Sequence, residues 1–243
     1  MQLAFDFPIH TQYGFDNFVI CNGNRTAYQF TRKVADPAEA DNLLYLYGPS
    51  GAGKTHLLVS LSRALADAAG HDQLPFFSFR ELPLLYPGNI PSETASRLAE
   101  LFRDAPHLVL DDIHLVPDDD RLRIELWQLF NDFYTAGKKI AIAGLHPPKD
   151  LAALDEHLIS RLLWGLVARV DVSDDDSRRM IMKKLAEDRQ MILPAEVIDY
   201  LLVHVRREIP ALITALEAIR RLALAAQRKV TIRLAREALE QAG

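Results

Sequence analysis

The 243-residue chain has one cysteine, Cys21, so no disulfide can form within it, and that scarcity suits a reducing compartment. No uninterrupted apolar stretch approaches the ~18 residues that read as a membrane span. No basic segment leads into an apolar run of the secretory kind. These absences predict a cytoplasmic protein with no membrane partner. Internal repeats and low-complexity tracts are missing as well, which sets aside solenoids and biased linkers. The eight histidines and the lone cysteine show no metal-ligand spacing, so a zinc centre is not expected. Ser50 and Ser160 lack the surroundings of a nucleophile elbow. There are only two tryptophans, Trp127 and Trp164; both sit on apolar helical faces or turns and read as core rather than as ligand contacts.

What is present is ordinary globular composition, 49% hydrophobic and 25% charged. The length suits one large α/β domain, or a main domain with a small satellite, with a core that needs no staples. The net charge of −5 conceals an asymmetry. From Ser177 onward there are 13 Lys and Arg against 8 Asp and Glu, while the rest of the chain carries 15 against 25. A basic C-terminal segment could face phosphate or nucleic acid, and it is equally what the solvated sides of amphipathic helices look like. Any DNA contact is expected to be weak or indirect.

Five apolar runs bounded by turn residues read as buried strands: residues 42–48, 75–79, 107–112, 138–144 and 166–172. Helical patterns fall between them at about 54–68, 92–104, 121–136 and 155–163. Continuous apolar strands alternating with helices predict a parallel sheet covered on both faces. After Ser173 the strands stop, and four helical patterns follow, opened by Asp, Pro or Thr. The expected organisation is a leader over 1–14, an α/β domain over 15–171 and a small all-helical domain over 172–243.

"GPSGAGKT", Gly48 to Thr55, fits G-x-x-x-x-G-K-[ST] at every position, after an apolar strand and at the head of an amphipathic helix. Glycines let the backbone wrap so that successive N–H groups point at phosphate oxygens, and the helix N-terminus adds its dipole. Lys54 would reach the β- and γ-phosphates, and the Thr55 hydroxyl would hold Mg²⁺. "LVLDD", Leu108 to Asp112, ends an apolar strand in carboxylates, which a parallel sheet delivers to the same edge as the phosphate loop. Asp111 would hold Mg²⁺ through water, and Asp112 would polarise an attacking water as general base.

The start of the chain poses a different question. Leu3, Phe5 and Phe7 alternate with Gln2, Ala4 and Asp6, so an extended backbone puts the three large side chains on one face. Such a strip either packs on the chain's own sheet or is presented to a partner as apolar anchors, with Gln2 supplying directed hydrogen bonds.

The residues around the two motifs choose among the many families that carry them. "GKTHLL" (53–58) and "LVLDDIHLV" (108–116) resemble the AAA+ module of the bacterial replication initiator DnaA. "FDNFVICNGNRTAYQF" (15–30) is similar to the opening segment of that module, whose backbone cups adenine near the positions of Val19 and Ile20. "AGLHPPKDL" (143–151) and "ISRLLWGLVARVDV" (159–172) resemble its later stretches, so the likeness runs from about Phe15 into the C-terminal helices. It implies a five-stranded parallel AAA+ P-loop domain followed by a helical lid. The implied ligand is ADP or ATP with Mg²⁺, held by Val19, Ile20, Pro49, Ser50, Gly51, Ala52, Gly53, Lys54, Thr55 and His56. A sensor arginine of the lid corresponds to Arg207 in "VRREIPAL" (205–212), with Arg206 competing on spacing. The "SRL" of the later stretch implies that Arg161 reaches the nucleotide of a neighbouring subunit as an arginine finger. Read without the resemblance, Arg161 is a helix-end arginine paired with Asp155 or Asp175.

Three departures narrow the likeness. The initiator carries an N-terminal interaction domain and a C-terminal helix-turn-helix domain, and neither is expected in this sequence. "QLAFDF" (2–7) resembles the motif that binds the DNA polymerase sliding clamp, with Phe5 where Leu is more usual, and implies contacts from Gln2, Leu3, Phe5 and Phe7. "HPP" (146–148) and "AAQRKVTI" (225–232) point the same way, to the Hda-type family of DnaA-related AAA+ regulators. Finally, active ATPases of this class orient the attacking water with a polar residue at the end of the fourth strand, and here that stretch is Ala143–Gly144–Leu145. The implied activity is therefore weak self-hydrolysis, with hydrolysis of DnaA-bound ATP promoted in trans. The implied partners are the clamp, DnaA and a possible second copy of this chain. The alternatives are an autonomous ATPase that loads or remodels a replication component, and a passive nucleotide-gated adaptor for DnaA.

Overall fold

A computed structural model describes residues 13–71, 74–85, 94–151 and 153–242. The chain packs as two units. The first is built around Asn24–Pro49 and Gly53–Val170; the second comprises Asp171–Gly243 with the short segments Val19–Gly23 and Ser50–Ala52.

The first unit holds five strands: β1 (Leu43–Tyr47), β2 (Phe76–Ser78), β3 (His107–Asp111), β4 (Lys139–Gly144) and β5 (Leu166–Arg169). They form one parallel sheet in the order β2-β3-β4-β1-β5. Among the described residues six helices surround them: α1 (Arg25–Ala35), α2 (Lys54–Ala69), α3 (Leu82–Leu85), α4 (Thr94–Leu101), α5 (Asp120–Thr135) and α6 (Glu156–Leu162). Because strand side chains alternate, Leu43, Tyr45, Leu108, Leu110, Ile140 and Ile142 face α5 and α6, which bring Leu126, Phe130, Leu158 and Leu162. Leu44, Leu46, Val109 and Ala141 are also buried, and α1 and α2 pack on the sheet there with Val34, Leu57, Leu58 and Leu61. Each such fully buried Leu or Phe contributes roughly 1.5–3 kcal/mol of transfer free energy.

The expected five-stranded parallel α/β fold is thus what the chain adopts, with two differences. The sequence pattern had no helix at 25–35. α1 buries the small residues Ala27, Thr31 and Ala35 beside Val34, and its Thr31 hydroxyl is returned to the Ala27 carbonyl at 2.7 Å, so little apolar bulk betrays it. Second, Trp164 is not core: it is 64% exposed, and Trp127 is only partly buried against the α5 side of the core.

The parallel arrangement sends every strand's C-terminal end to one edge. In register, Tyr47 lies opposite Gly144 and Ser78 opposite Asp111. The loop after β1, the carboxylates ending β3 and the end of β4 all emerge there, the edge at which open α/β sheets bind ligands.

The second unit contains α7 (Asp175–Asp188), α8 (Ala195–His204), α9 (Ile209–Ala226) and α10 (Ile232–Ala242). Asp174 caps α7 by accepting from the Ser177 N–H at 2.7 Å. Pro210 opens α9, and Gln227 closes it in a left-handed conformation. Met182, Leu201, Leu212, Leu216, Ile219 and Leu234 fill the space among the four helices. No helix among the described residues is long and apolar enough to cross a membrane.

Candidate functional site

The loop from Gly48 to Gly53 depends on backbone conformations that side chains resist. Gly48 has φ of 147°, and a Cβ there would lie 2.1 Å from the Val170 carbonyl oxygen. Gly53 opens α2 at φ 104°, and a Cβ there would lie 2.9 Å from the Phe18 ring. Pro49, Ser50 and Gly51 are exposed and Ala52 is buried. Lys54, the first residue of α2, is buried, and its Nζ donates to the Gly48 and Pro49 carbonyls at 2.8 Å each. Burial lowers its pKa, and the nearby charges of Asp111 and Asp112 oppose that shift. An ammonium held on loop carbonyls in this way is poised to exchange them for phosphate oxygens.

Thr55 follows, with its Oγ1 donating to Asp111 Oδ2 at 2.5 Å. Asp111 is 1% exposed, and its other oxygen accepts the Asp112 N–H at 2.8 Å. Burial and then the charge of Asp112 push its carboxyl up to about 6, while the hydrogen bonds from Thr55 and the Asp112 amide hold it down in part. A hydroxyl and a buried carboxylate in contact are oxygen donors of the kind that fit Mg²⁺, and a dication there would relieve the cost of burying the charge.

Asp112 is less free than the sequence suggested. It adopts a left-handed φ of 54°, uncommon without glycine. Its Oδ2 accepts from Arg80 Nε at 2.6 Å and from Ser78 Oγ at 3.1 Å, and its Oδ1 from Arg80 Nη2 at 3.3 Å. Both oxygens are engaged, so a proton-accepting role requires that one lone pair be turned to water or that Arg80 move. Ser78 and Arg80 were not singled out in the sequence. Their only signal was position: they end and follow the strand that neighbours β3.

The end of β4 is closed. A Cβ on Gly144 would lie 2.9 Å from both Ile113 Cγ2 and the Tyr45 hydroxyl. Burial raises the pKa of that hydroxyl, which donates to the His146 carbonyl at 2.8 Å.

His56 fastens the segment before the sheet to α2. Its Nε2 lies 2.8 Å from the Gly14 carbonyl, and its ring stacks on Tyr13 and meets Phe18 edge-on. Val19 and Ile20 are half-buried and belong with the second unit, where Cys21 Sγ donates to the Val19 carbonyl at 3.8 Å. Arg206 and Arg207 are both exposed. Arg207 Nη1 lies 3.6 Å from Asp175 Oδ1, the same oxygen that accepts from Arg178 Nη1 at 2.9 Å. Arg178 also donates from Nε to the Arg207 carbonyl at 2.9 Å, and so holds that turn to α7.

Arg161 has neither carboxylate partner that its local sequence offered. Asp155 caps α6 by accepting from the His157 N–H, and Asp175 serves Arg178 and Arg207. The guanidinium instead lies over Trp127, with its carbon 4.2 Å from the ring centroid, and 5.9 Å from that of Trp164. Of the residues expected to act, the structure therefore gathers Lys54, Thr55, Asp111 and Asp112 at one sheet edge and places Arg161 on a separate aromatic face. Gln2, Leu3, Phe5 and Phe7 lie outside the described residues.

A phosphate loop after β1, an acidic pair ending its neighbour but one, β3, and a following helical unit define an AAA+ P-loop domain with a lid. Residues 9–169 match the family model of the bacterial DnaA ATPase domain, and residues 175–239 match that of the Hda lid domain. The chain belongs to the bacterial DnaA ATPase-domain family, and its lid makes it an Hda-type DnaA-related AAA+ protein. It is 30% identical over 233 residues to the chromosomal replication initiator protein DnaA of Caldanaerobacter subterraneus subsp. tengcongensis, covering 96% of this chain and 53% of that protein. It thus spans about half the length of this curated relative. Among solved structures it is similar to domain III of the Thermotoga maritima replication initiation protein DnaA, with a TM-score of 0.83 and 27% identity over 95% of this chain and 97% of that one. AMPPCP-bound DnaA from Aquifex aeolicus is similar too, with a TM-score of 0.73 and 25% identity over 86% of this chain and 65% of that one.

Proposed function

We propose that this protein binds ADP or ATP with Mg²⁺, docks on the DNA polymerase sliding clamp through its leader, and promotes hydrolysis of DnaA-bound ATP, which restrains replication initiation. The observation that carries the reading is an imbalance. The residues for holding a nucleotide are assembled, with Lys54 at the loop and Thr55 against a buried Asp111. The means of hydrolysing it are curtailed: Ala143–Gly144–Leu145 carries no polar side chain, Gly144 has no room for one, and Asp112 is held by Arg80. Such a chain retains nucleotide as a ligand rather than turning it over.

In this reading Lys54 transfers its hydrogen bonds from loop carbonyls to phosphate, the loop N–H groups cradle the same phosphates, and Thr55 and Asp111 hold the metal. When bound, Mg²⁺ neutralises charge on the phosphate oxygens. Val19 and Ile20 border the adenine, and Arg207 serves as the lid's sensor. AMPPCP in the Aquifex relative supports an adenine nucleotide as the ligand. Arg161, without a carboxylate partner among the described residues, is the group offered to a DnaA-bound nucleotide.

The test is DnaA-bound ATP hydrolysis measured with and without this protein, clamp and DNA. Arg161→Ala should keep nucleotide affinity and clamp binding and remove most of the stimulation, by ~10²-fold or more for an arginine finger. Lysine should not rescue it, since a point charge does not reproduce the planar fork. Normal stimulation by Arg161→Ala would refute trans-activation in favour of a passive adaptor. Rapid ATP turnover by the protein alone would favour an autonomous ATPase.

A further inference from the structure

The two indoles around Arg161 call for an explanation. Trp164 is 64% exposed, an unusual position for so large an apolar side chain, and Trp127 is only partly buried. They come from different elements, Trp127 from α5 and Trp164 from the turn that follows α6. Both rings lie within cation–π reach of one guanidinium, at 4.2 and 5.9 Å. The arrangement is braced from outside. Trp127 packs near His157, Trp164 near Tyr134, and the Trp164 N–H donates to the Arg161 carbonyl at 3.0 Å, so the two residues share one turn. Trp127, His157, Ser160, Arg161 and Trp164 line an open hollow of about 480 Å³.

We propose that Trp127 and Trp164 are positioning residues for Arg161: they hold the guanidinium by its faces and leave its N–H edges for an anion brought by a partner. The proposal rests on the trans-acting reading of Arg161 and adds how that arginine is made ready. A carboxylate partner would also order the side chain, but it would occupy the same N–H fork that must bind phosphate. An aromatic face orders it without using those donors. An arginine stem left free would have to lose its rotamer freedom at the moment of contact. Among the described residues no carboxylate pairs with Arg161, in keeping with this division between faces and edges.

Trp127 and Trp164 are the chain's only tryptophans, so the protein's intrinsic emission reports on this place directly. In the free full-length protein, Arg161→Ala should shift the emission and raise quenching by acrylamide, because a guanidinium no longer covers the rings. Unchanged emission and quenching would overturn the stack. In the DnaA–ATP assay with clamp and DNA, Trp164→Ala should lower the maximal stimulated rate at saturating protein by at least ~10-fold, as misplacement of a reacting group does. Trp164→Phe and Trp127→Phe should restore or retain most of it, and melting and nucleotide affinity of all three variants should match the parent. If Trp164→Ala raises only the half-saturating concentration, the indole is a docking contact and the positioning role is wrong; a wild-type maximal rate refutes it equally. Arg161→Ala run alongside separates the two ideas: stimulation lost with Arg161 but kept in Trp164→Ala ends positioning alone, and stimulation kept in both ends the trans-acting reading with it.

Discussion

Charging His107 should loosen the helix that carries Lys54. His107 opens β3, is 1% exposed, and has its Nε2 2.8 Å from Ser62 Oγ on α2, while its Nδ1 has no hydrogen-bond partner among the described residues. Burial, aided by the charge of His71, lowers its pKa from 6.5 to about 4. The folded state therefore keeps the ring neutral where the unfolded chain takes up a proton. Above pH ~7.5 both states are neutral and His107 adds no pH dependence. Between 6.5 and 4 the unfolded state binds more protons, so stability falls as pH falls, with a slope approaching ~1.4 kcal/mol per unit. The full shift corresponds to about 3 kcal/mol below pH 4, and about 2 kcal/mol of it is already lost at pH 5. Urea unfolding at pH 7.5 and 5.0 measures this, with His107→Phe as the variant that cannot titrate. The parent should lose about 2 kcal/mol more than the variant between the two conditions. The loss of the Ser62 hydrogen bond in the variant offsets both of its values alike and cancels. Equal losses in parent and variant would refute the reasoning. Since α2 and β3 also bear Thr55 and Asp111, nucleotide affinity should weaken over the same acid window in the parent more than in the variant.

Three further outcomes follow from named groups. Lys54→Ala removes the cation of the phosphate loop and should abolish ADP and ATP binding in a direct titration; unchanged affinity would mean the loop is not the site. Arg80 and Asp112 should show a coupling of about 1 kcal/mol in a double-mutant cycle read by urea unfolding, the modest value expected because Arg80 is largely exposed; strictly additive losses would mean that the Asp112 carboxylate is free. Replacing Gln2, Leu3 and Phe5 together by Ala should abolish clamp binding in a pull-down or interferometry measurement and leave the melting temperature nearly unchanged. A drop in stability approaching the ~2–5 kcal/mol typical of one large core truncation would instead assign the strip to the protein's own core.

The parts of this molecule that were legible in the sequence are those whose constraints are local. The phosphate loop is written in eight consecutive residues, and strands buried on both faces leave continuous apolar runs. α1 was not legible, because its buried face is Ala27, Thr31 and Ala35 beside a single Val34, too small and too polar to register as a stripe. Nor was the Ser78–Arg80–Asp112 cluster, since it forms only when β2 pairs with β3 and brings together residues more than thirty positions apart. The tryptophans misled for another reason. Large apolar side chains are usually buried, but the rule does not run backwards, and nothing near Trp164 in sequence announces that an arginine lies against its face. For Arg161 the neighbouring carboxylates suggested ion pairs, yet Asp155 is consumed by a helix cap and Asp175 by the lid's own arginines.

The crowding at Gly144 bears on how such a protein could change its trade over evolutionary time. Acquiring a water-orienting side chain at Gly144 is not a one-step mutation, because a first added carbon meets Ile113 and Tyr45 together at 2.9 Å. Ile113 is buried and the tyrosine hydroxyl is committed to the His146 carbonyl, so neither yields without loosening its own surroundings. A lineage would have to shrink at least two neighbours before the gain could appear, passing through intermediates that are less stable and no more active. Under the proposed function, the route through position 144 from regulator to self-sufficient enzyme is therefore obstructed by packing, so that the shape of the core acts there alongside selection on activity.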